Sequence, residues 1–120
     1  MEGYRIAPLI YISGPLYSSG VPELNVRRAL HHAEMIMLRG FVPVVPHLYL
    51  FWNAIFPHTE NKWLDLDRLW IMRCDAVFRL DGYSKGGEQE LQWAELFHKP
   101  IFRTFDELDR WYEQLSSSPD

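Results

Sequence analysis

A chain of 120 residues that is 48% hydrophobic forms one domain able to build a core without metals or bridges. Its formal net charge of -4 argues against a dedicated nucleic-acid binder, which would show a basic face, yet a local pocket can still oppose that charge and take a small anion. Cys74 is the only cysteine, so no internal disulfide forms and a reducing compartment fits.

The opening Met-Glu-Gly-Tyr-Arg lacks the layout of a signal peptide. No apolar run approaches the roughly 18 residues needed to cross a bilayer. A cytoplasmic protein with no membrane partner is expected.

Ala7 to Ser13 is a continuous apolar run that stops at Gly14-Pro15 and predicts a buried strand. A small polar loop, Leu16 to Gly20, precedes Pro22, which suits the first turn of a helix. Val26, Leu30, Ala33 and Met37 follow at helical spacing, and Gly40 ends the helix. Phe41 to Val45 predicts a second strand. His47 to His58 reads as a long, irregular aromatic loop, of the kind that is usually functional.

Glu60 to Arg73 predicts a helix with Trp63, Leu66 and Trp70 on one face. Asp75 to Leu80 is a third strand, Asp81 to Gly87 a glycine-containing loop, and about Gly87 to His98 a helix. Pro100 to Phe102 is a fourth short strand. Thr104 caps a last helix, with Glu107 at the capping-box position and Phe105, Leu108, Tyr112 and Leu115 as its buried face. One domain over 1–115 and a frayed tail over 116–120 are expected.

Strands alternating with helices predict an α/β fold: a single doubly wound, Rossmann-like or flavodoxin-like parallel sheet of four or five strands, with helices on both faces. Ligands of such folds bind beyond the carboxyl ends of the strands. Residues 13–20, 46–57 and 81–90 meet that edge.

Several residues there can carry chemistry. Ser84-Lys85-Gly86-Gly87, between a strand and a helix, is either a plain turn or a phosphate cradle. Glu88 and Glu90 both lie near the helix start, where the dipole favours a carboxylate; periodicity does not choose between them. Asp67 borders the apolar face of its helix, where shielding by aromatics would raise its pKa and suit a general acid; otherwise it is a solvated carboxylate, as is Asp65. Tyr11 either holds a carboxylate or fills the core. His47 ends the second strand and can line the pocket, while His31 and His32 read as helix surface. The five histidines show no metal spacing, and neither a P-loop nor a GxGxxG motif occurs.

Three stretches together resemble the nucleoside 2-deoxyribosyltransferase superfamily. They are Tyr-Ile-Ser-Gly-Pro at 11–15, Asp67-Arg-Leu-Trp-Ile-Met-Arg-Cys-Asp75, and Ser84-Lys-Gly-Gly-Glu-Gln-Glu-Leu-Gln-Trp-Ala94. The last is the most specific and looks like the family's Ser-x-Gly-x-x-x-Glu-Leu-x-x-Ala signature. The small 2'-deoxynucleoside 5'-phosphate N-hydrolase and cytidylate N-hydrolase branch looks closest. The resemblance implies Glu90 as nucleophile, Asp67 as the acid that protonates the leaving base, and Tyr11 as the group orienting Glu90. Ser84 and Gly86 would hold a 5'-phosphate, with Gly87, Ser13, Gly14, Pro15, Leu16 and His47 completing the substrate site.

Serine rather than aspartate at 84 favours nucleotides over nucleosides, because an aspartate would repel a phosphate. The loop Leu16 to Gly20 departs from the pattern in lacking an arginine that often assists phosphate there. The expected activity is hydrolysis of the N-glycosidic bond of a nucleoside 5'-monophosphate, with no metal or cofactor. Base exchange and a non-catalytic nucleotide sensor are the alternatives. The surplus of aromatics suggests a homodimer, with Trp52, Trp63, Trp93 and Trp111 as interface candidates.

Overall fold

The computed structural model describes residues 7–17 and 20–117. Four strands, β1 (Leu9–Ser13), β2 (Val42–Val44), β3 (Ala76–Arg79) and β4 (Ile101–Phe102), form one parallel sheet in the order β2-β1-β3-β4. Five α-helices connect and cover them: α1 (Pro22–Leu38), α2 (Tyr49–Ile55), α3 (Glu60–Arg73), α4 (Lys85–Leu96) and α5 (Phe105–Ser117). The chain leaves β1 towards one edge and returns to β3 on the other side. The crevice at the carboxyl ends of β1 and β3 is therefore the topological switch point.

Side chains alternate across the sheet with the two-residue period of a strand. Ile10, Ile12, Ala76 and Phe78 face Ala29, Ala33 and Ile36 of α1 and Leu108 of α5. Tyr11 and Val77 face the opposite layer, with Ile71 of α3 and Ala94 of α4. The expected doubly wound α/β sheet with helices on both faces is what forms.

Local signals explain most element ends. Pro22 occupies the first turn of α1, and Gly40 takes φ 96 just beyond it, a left-handed stop that glycine adopts without steric cost. Thr59 Oγ1 accepts from the Lys62 N–H at 3.3 Å to cap α3. At α5 the capping box closes as expected: Glu107 Oε1 accepts from the Thr104 N–H at 3.0 Å, and the Glu107 N–H donates to Thr104 Oγ1 at 3.2 Å.

Several expectations need correction. The 47–58 stretch is not irregular: a 3-10 turn, Pro46–Leu48, leads into α2. No residue of α2 is buried, and it is held by ring contacts, Tyr49 on Trp63 at 4.8 Å and Trp52 on Trp63 at 5.3 Å, so no apolar stripe announced it. On α1 the buried row is Val26, Ala29, Ala33 and Ile36, while Leu30 and Met37 are exposed. On α3 the buried row is Asp67 and Ile71, and Trp70 is 40% exposed; a carboxylic acid holds the place that apolar counting gave to tryptophan.

His32 is not surface. It lies 5.9 Å from the Phe78 ring and 5.7 Å from that of Phe105, centroid to centroid. On α5, Leu115 is exposed and Trp111 instead packs on Phe102 at 5.4 Å. Of the expected tail, α5 takes in residues 116 and 117; 118–120 lie outside the described residues, as do Ser18 and Ser19 of the first loop and residues 1–6.

Candidate active site

β1 ends in Tyr11, Ile12 and Ser13, and its alternation turns Tyr11 and Ser13 to the same face as α4. Both are fully buried. The Tyr11 hydroxyl donates to Glu90 Oε2, and Ser13 Oγ donates to Glu90 Oε1 at 2.7 Å. Both oxygens of one carboxylate are thus held by hydroxyls from one strand, and such charge-assisted bonds are the stronger kind. Glu90 is 6% exposed, whereas Glu88 is exposed, so burial separates the two acids that spacing left tied.

Asp67 reaches the same cavity as Glu90 from α3, 8% exposed, with its buried Oδ1 lacking a hydrogen-bond partner among the described residues. Burial, then the negative charge of Glu90, pushes its pKa up to about 8. Burial also raises Glu90, but hydrogen bonds from Tyr11, Ser13 and Asp67 and the charge of Arg79 oppose that rise. Asp67 therefore holds its proton to higher pH than Glu90 does. Burial and the two carboxyl groups also raise Tyr11, so its hydroxyl stays a donor.

These groups lie at a cavity of about 400 Å³, within the usual size of small-molecule sites. Gly14, Leu16, His47, Ser84, Gly86 and Gly87 line it together with Asp67 and Glu90. Ser13 contributes through Glu90, and Pro15 is buried beneath Gly82, whose added Cβ would stand 3.0 Å from Pro15 Cγ. His47 is 3% exposed with neither ring nitrogen hydrogen-bonded. Burial lowers its pKa to about 4, which makes it a neutral imidazole.

The wall at the start of α4 has its own logic. Ser84 Oγ accepts from the Gly87 N–H at 2.8 Å, and the Glu88 N–H donates to the Ser84 carbonyl at 3.0 Å. The N–H groups of Lys85 and Gly86 lack intrahelical partners, both residues line the cavity, and the Ser84 hydroxyl hydrogen remains to donate. The helix therefore starts at Lys85, not Gly87, and places both glycines in its first turn. Gly87 has no room for a side chain: a Cβ would stand 2.5 Å from Ser84 Oγ and 2.7 Å from Arg79 Nη1.

Arg79 was not singled out from the sequence. It is 3% exposed, Nη2 donates to the Gly82 carbonyl at 2.7 Å, and Nη1 has no hydrogen-bond partner. No ion pair forms on it among the described residues. Arg28 holds the neighbouring Asp81 carbonyl at 2.7 Å, so two arginines brace the turn after β3. The signal that could have found Arg79 is a cation inside the run Ala-Val-Phe-Arg-Leu, residues 76–80. Asn53 was also missed; it lines the cavity beside Tyr49 and Trp63.

A family model described as a domain of unknown function, DUF7768, matches residues 8–104, from the residue before β1 to the cap of α5. The chain belongs to the DUF7768 family. No curated protein matches the DUF7768 chain. Among solved structures it is similar to that reported as the solution structure of BlsM, with a TM-score of 0.63 and 24% identity over 79% of this chain and 63% of that one. The DUF7768 chain thus spans less than two thirds of BlsM, and the likeness is one of fold.

Among the expected interface tryptophans of the DUF7768 chain, Trp63 lines the cavity, Trp93 and Trp111 pack against the two core layers, and Trp52 is 51% exposed. No helix among the described residues is long and apolar enough to cross a membrane.

Proposed function

We propose that this DUF7768 domain hydrolyses the N-glycosidic bond of a nucleoside 5'-monophosphate, as a member of the nucleoside 2-deoxyribosyltransferase superfamily. The observation that carries this reading is two buried carboxyl groups in unlike surroundings at one cavity. Glu90 is held by Tyr11 and Ser13, and Asp67 keeps its proton up to about pH 8. Two carboxyl groups driven to opposite protonation states are the mark of paired nucleophile and acid roles.

In this mechanism a Glu90 oxygen attacks C1' of the sugar as the bond from C1' to the base nitrogen breaks. Asp67 gives its proton to the departing base, which leaves neutral. Asp67, now ionised, takes a proton from water, whose oxygen attacks C1' and releases the Glu90 carboxylate and the sugar 5-phosphate. The phosphate would lie on the Ser84 hydroxyl and the Lys85 and Gly86 N–H groups, where the α4 dipole favours an anion. The exposed Phe51, Trp52, Ile55 and Phe56 on and beside α2 support self-association as a homodimer, which sedimentation would test.

The deciding experiment offers ribo- and deoxyribonucleosides and their 5'-monophosphates to the purified protein and separates free base by chromatography. Base released from monophosphates by the parent but not by Glu90→Ala is the expected result. Base release that Glu90→Ala leaves intact overturns the assignment. New nucleoside formed only when a free acceptor base is added replaces hydrolysis by base exchange.

A further inference from the structure

Asn53 occupies α2 at the cavity wall formed by Tyr49 and Trp63. Its Oδ1 accepts two hydrogen bonds, from the His58 N–H at 2.8 Å and from Trp63 Nε1–H at 2.8 Å. A backbone N–H and an indole N–H can only donate. The amide therefore has one orientation, since turning it over would set its NH2 against two N–H groups. Its oxygen is fully engaged, and no acceptor among the described residues takes the Nδ2 hydrogens.

We propose that Asn53 is a specificity-determining residue. Its amide N–H group donates to an acceptor, a carbonyl oxygen or an unprotonated ring nitrogen, on the edge of the leaving base remote from the bond that breaks. This rests on the hydrolase reading for the base's orientation. Asp67 delivers its proton at the glycosidic nitrogen. Trp63, which anchors Asn53, precedes Asp67 by one helical turn, about 6 Å along the axis. On this proposal the Asn53 donors take the end of a flat heterocycle away from the acid, both residues lining the same cavity.

The wall between them is made of aromatic rings, with Tyr49 and Trp63 stacked at 4.8 Å and an interplanar angle of 27°. A ring system lying along that wall keeps its apolar faces dry and presents its polar edge to Asn53. A fixed donor with no partner among the described residues disfavours a base that offers it none.

Asn53→Asp tests the proposal with little structural change, because Oδ1 still accepts from His58 and Trp63 while the outward donor becomes an acceptor. Calorimetry on Glu90→Gln, which removes turnover, would measure binding of the best-bound 5'-monophosphate. A deaza analogue, with C–H in place of the ring acceptor or a hydrogen in place of the carbonyl, completes the set.

The expected result is that Asn53→Asp weakens the nucleotide by roughly 10- to 100-fold. The analogue should lose a similar factor in the protein that keeps Asn53, and Asn53→Asp should weaken it little further. The analogue arm leaves Asn53 in place, so it decides the matter even if Asn53→Asp fails to fold. Equal binding of nucleotide and analogue there, for both the ring-nitrogen and the carbonyl replacement, overturns the proposal. Asn53-dependent nucleotide binding without any base release sinks the hydrolase reading and leaves the donor role standing. Base release indifferent to Asn53→Asp and to the analogue sinks the donor role alone.

Discussion

Arg79 stands opposite Ser13 in the parallel register of β3 and β1, so the guanidinium and the hydroxyl that holds Glu90 leave the sheet on the same face. A buried cation with no ion pair among the described residues acts on a buried carboxylate, and its charge favours the ionised form of Glu90. Arg79→Met should therefore raise the Glu90 pKa. The acid limb of kcat/KM would move to higher pH by about one unit, or roughly 1.4 kcal/mol, and Arg79→Lys should recover much of it. A pH-rate profile measures this directly, and an unmoved acid limb in Arg79→Met would refute the role.

Asp67 sets the other limb. Activity should fall as pH rises through about 8, where Asp67 loses its proton, and Asp67→Asn should remove that dependence. The slowing should reach about 10²- to 10⁴-fold for poor leaving bases and be smaller for good ones. Equal slowing across leaving groups counts against the acid role.

The same shift has a stability sign. The folded-state pKa of Asp67 is raised from 3.8 to about 8. Its contribution is thus fully present below the unfolded value and is lost as pH rises through the folded one. Asp67→Asn should then be more stable than the parent at pH 8, by about 1 kcal/mol or more, with the advantage gone near pH 4. Urea titrations at the two pH values would show this, and an advantage independent of pH would contradict it.

Tyr11→Phe and Ser13→Ala each remove one hydroxyl from the Glu90 carboxylate. Each should lower kcat by about 10- to 100-fold through misorientation of the attacking oxygen, with KM little changed. A rise in KM at constant kcat would assign these hydroxyls to substrate rather than to Glu90.

The two adjacent glycines of α4 should behave oppositely. In Gly86→Ala the new methyl meets only Leu64 Cδ2 at 3.9 Å, an ordinary contact, whereas in Gly87→Ala it meets Ser84 Oγ at 2.5 Å and Arg79 Nη1 at 2.7 Å. Gly86→Ala should fold with unchanged or slightly higher stability, since alanine favours a helix. Gly87→Ala should lose about 1–3 kcal/mol. Thermal unfolding of both variants distinguishes them, and equal midpoints would deny the crowding at Gly87.

The strands and the outer helices were legible because their signals are local. Apolar runs end at glycine or proline, Thr104 and Glu107 three positions apart close a box, and Gly40 stops α1. What escaped depends on contacts between distant segments. α2 is held by its rings on Trp63 rather than by a stripe facing the sheet. Arg79 is buried only because the turn after β3 folds back over it. Spacing within one helix left Glu90 and Glu88 tied and the resemblance alone chose Glu90, because the partners that set it apart, Tyr11 and Ser13, lie some eighty residues earlier in the chain.

The absence of buried residues in α2 separates two properties of the cavity. The carboxyl groups stand on α3 and α4, anchored to the sheet through the core, while Tyr49 and Asn53 stand on a segment attached through aromatic rings and the hydrogen bond from Trp63 to Asn53. Exchange of residues along α2 would redraw that wall of the cavity without disturbing the strand that holds Glu90. For the proposed hydrolase, a change of base preference would then need exchanges within one short helix only.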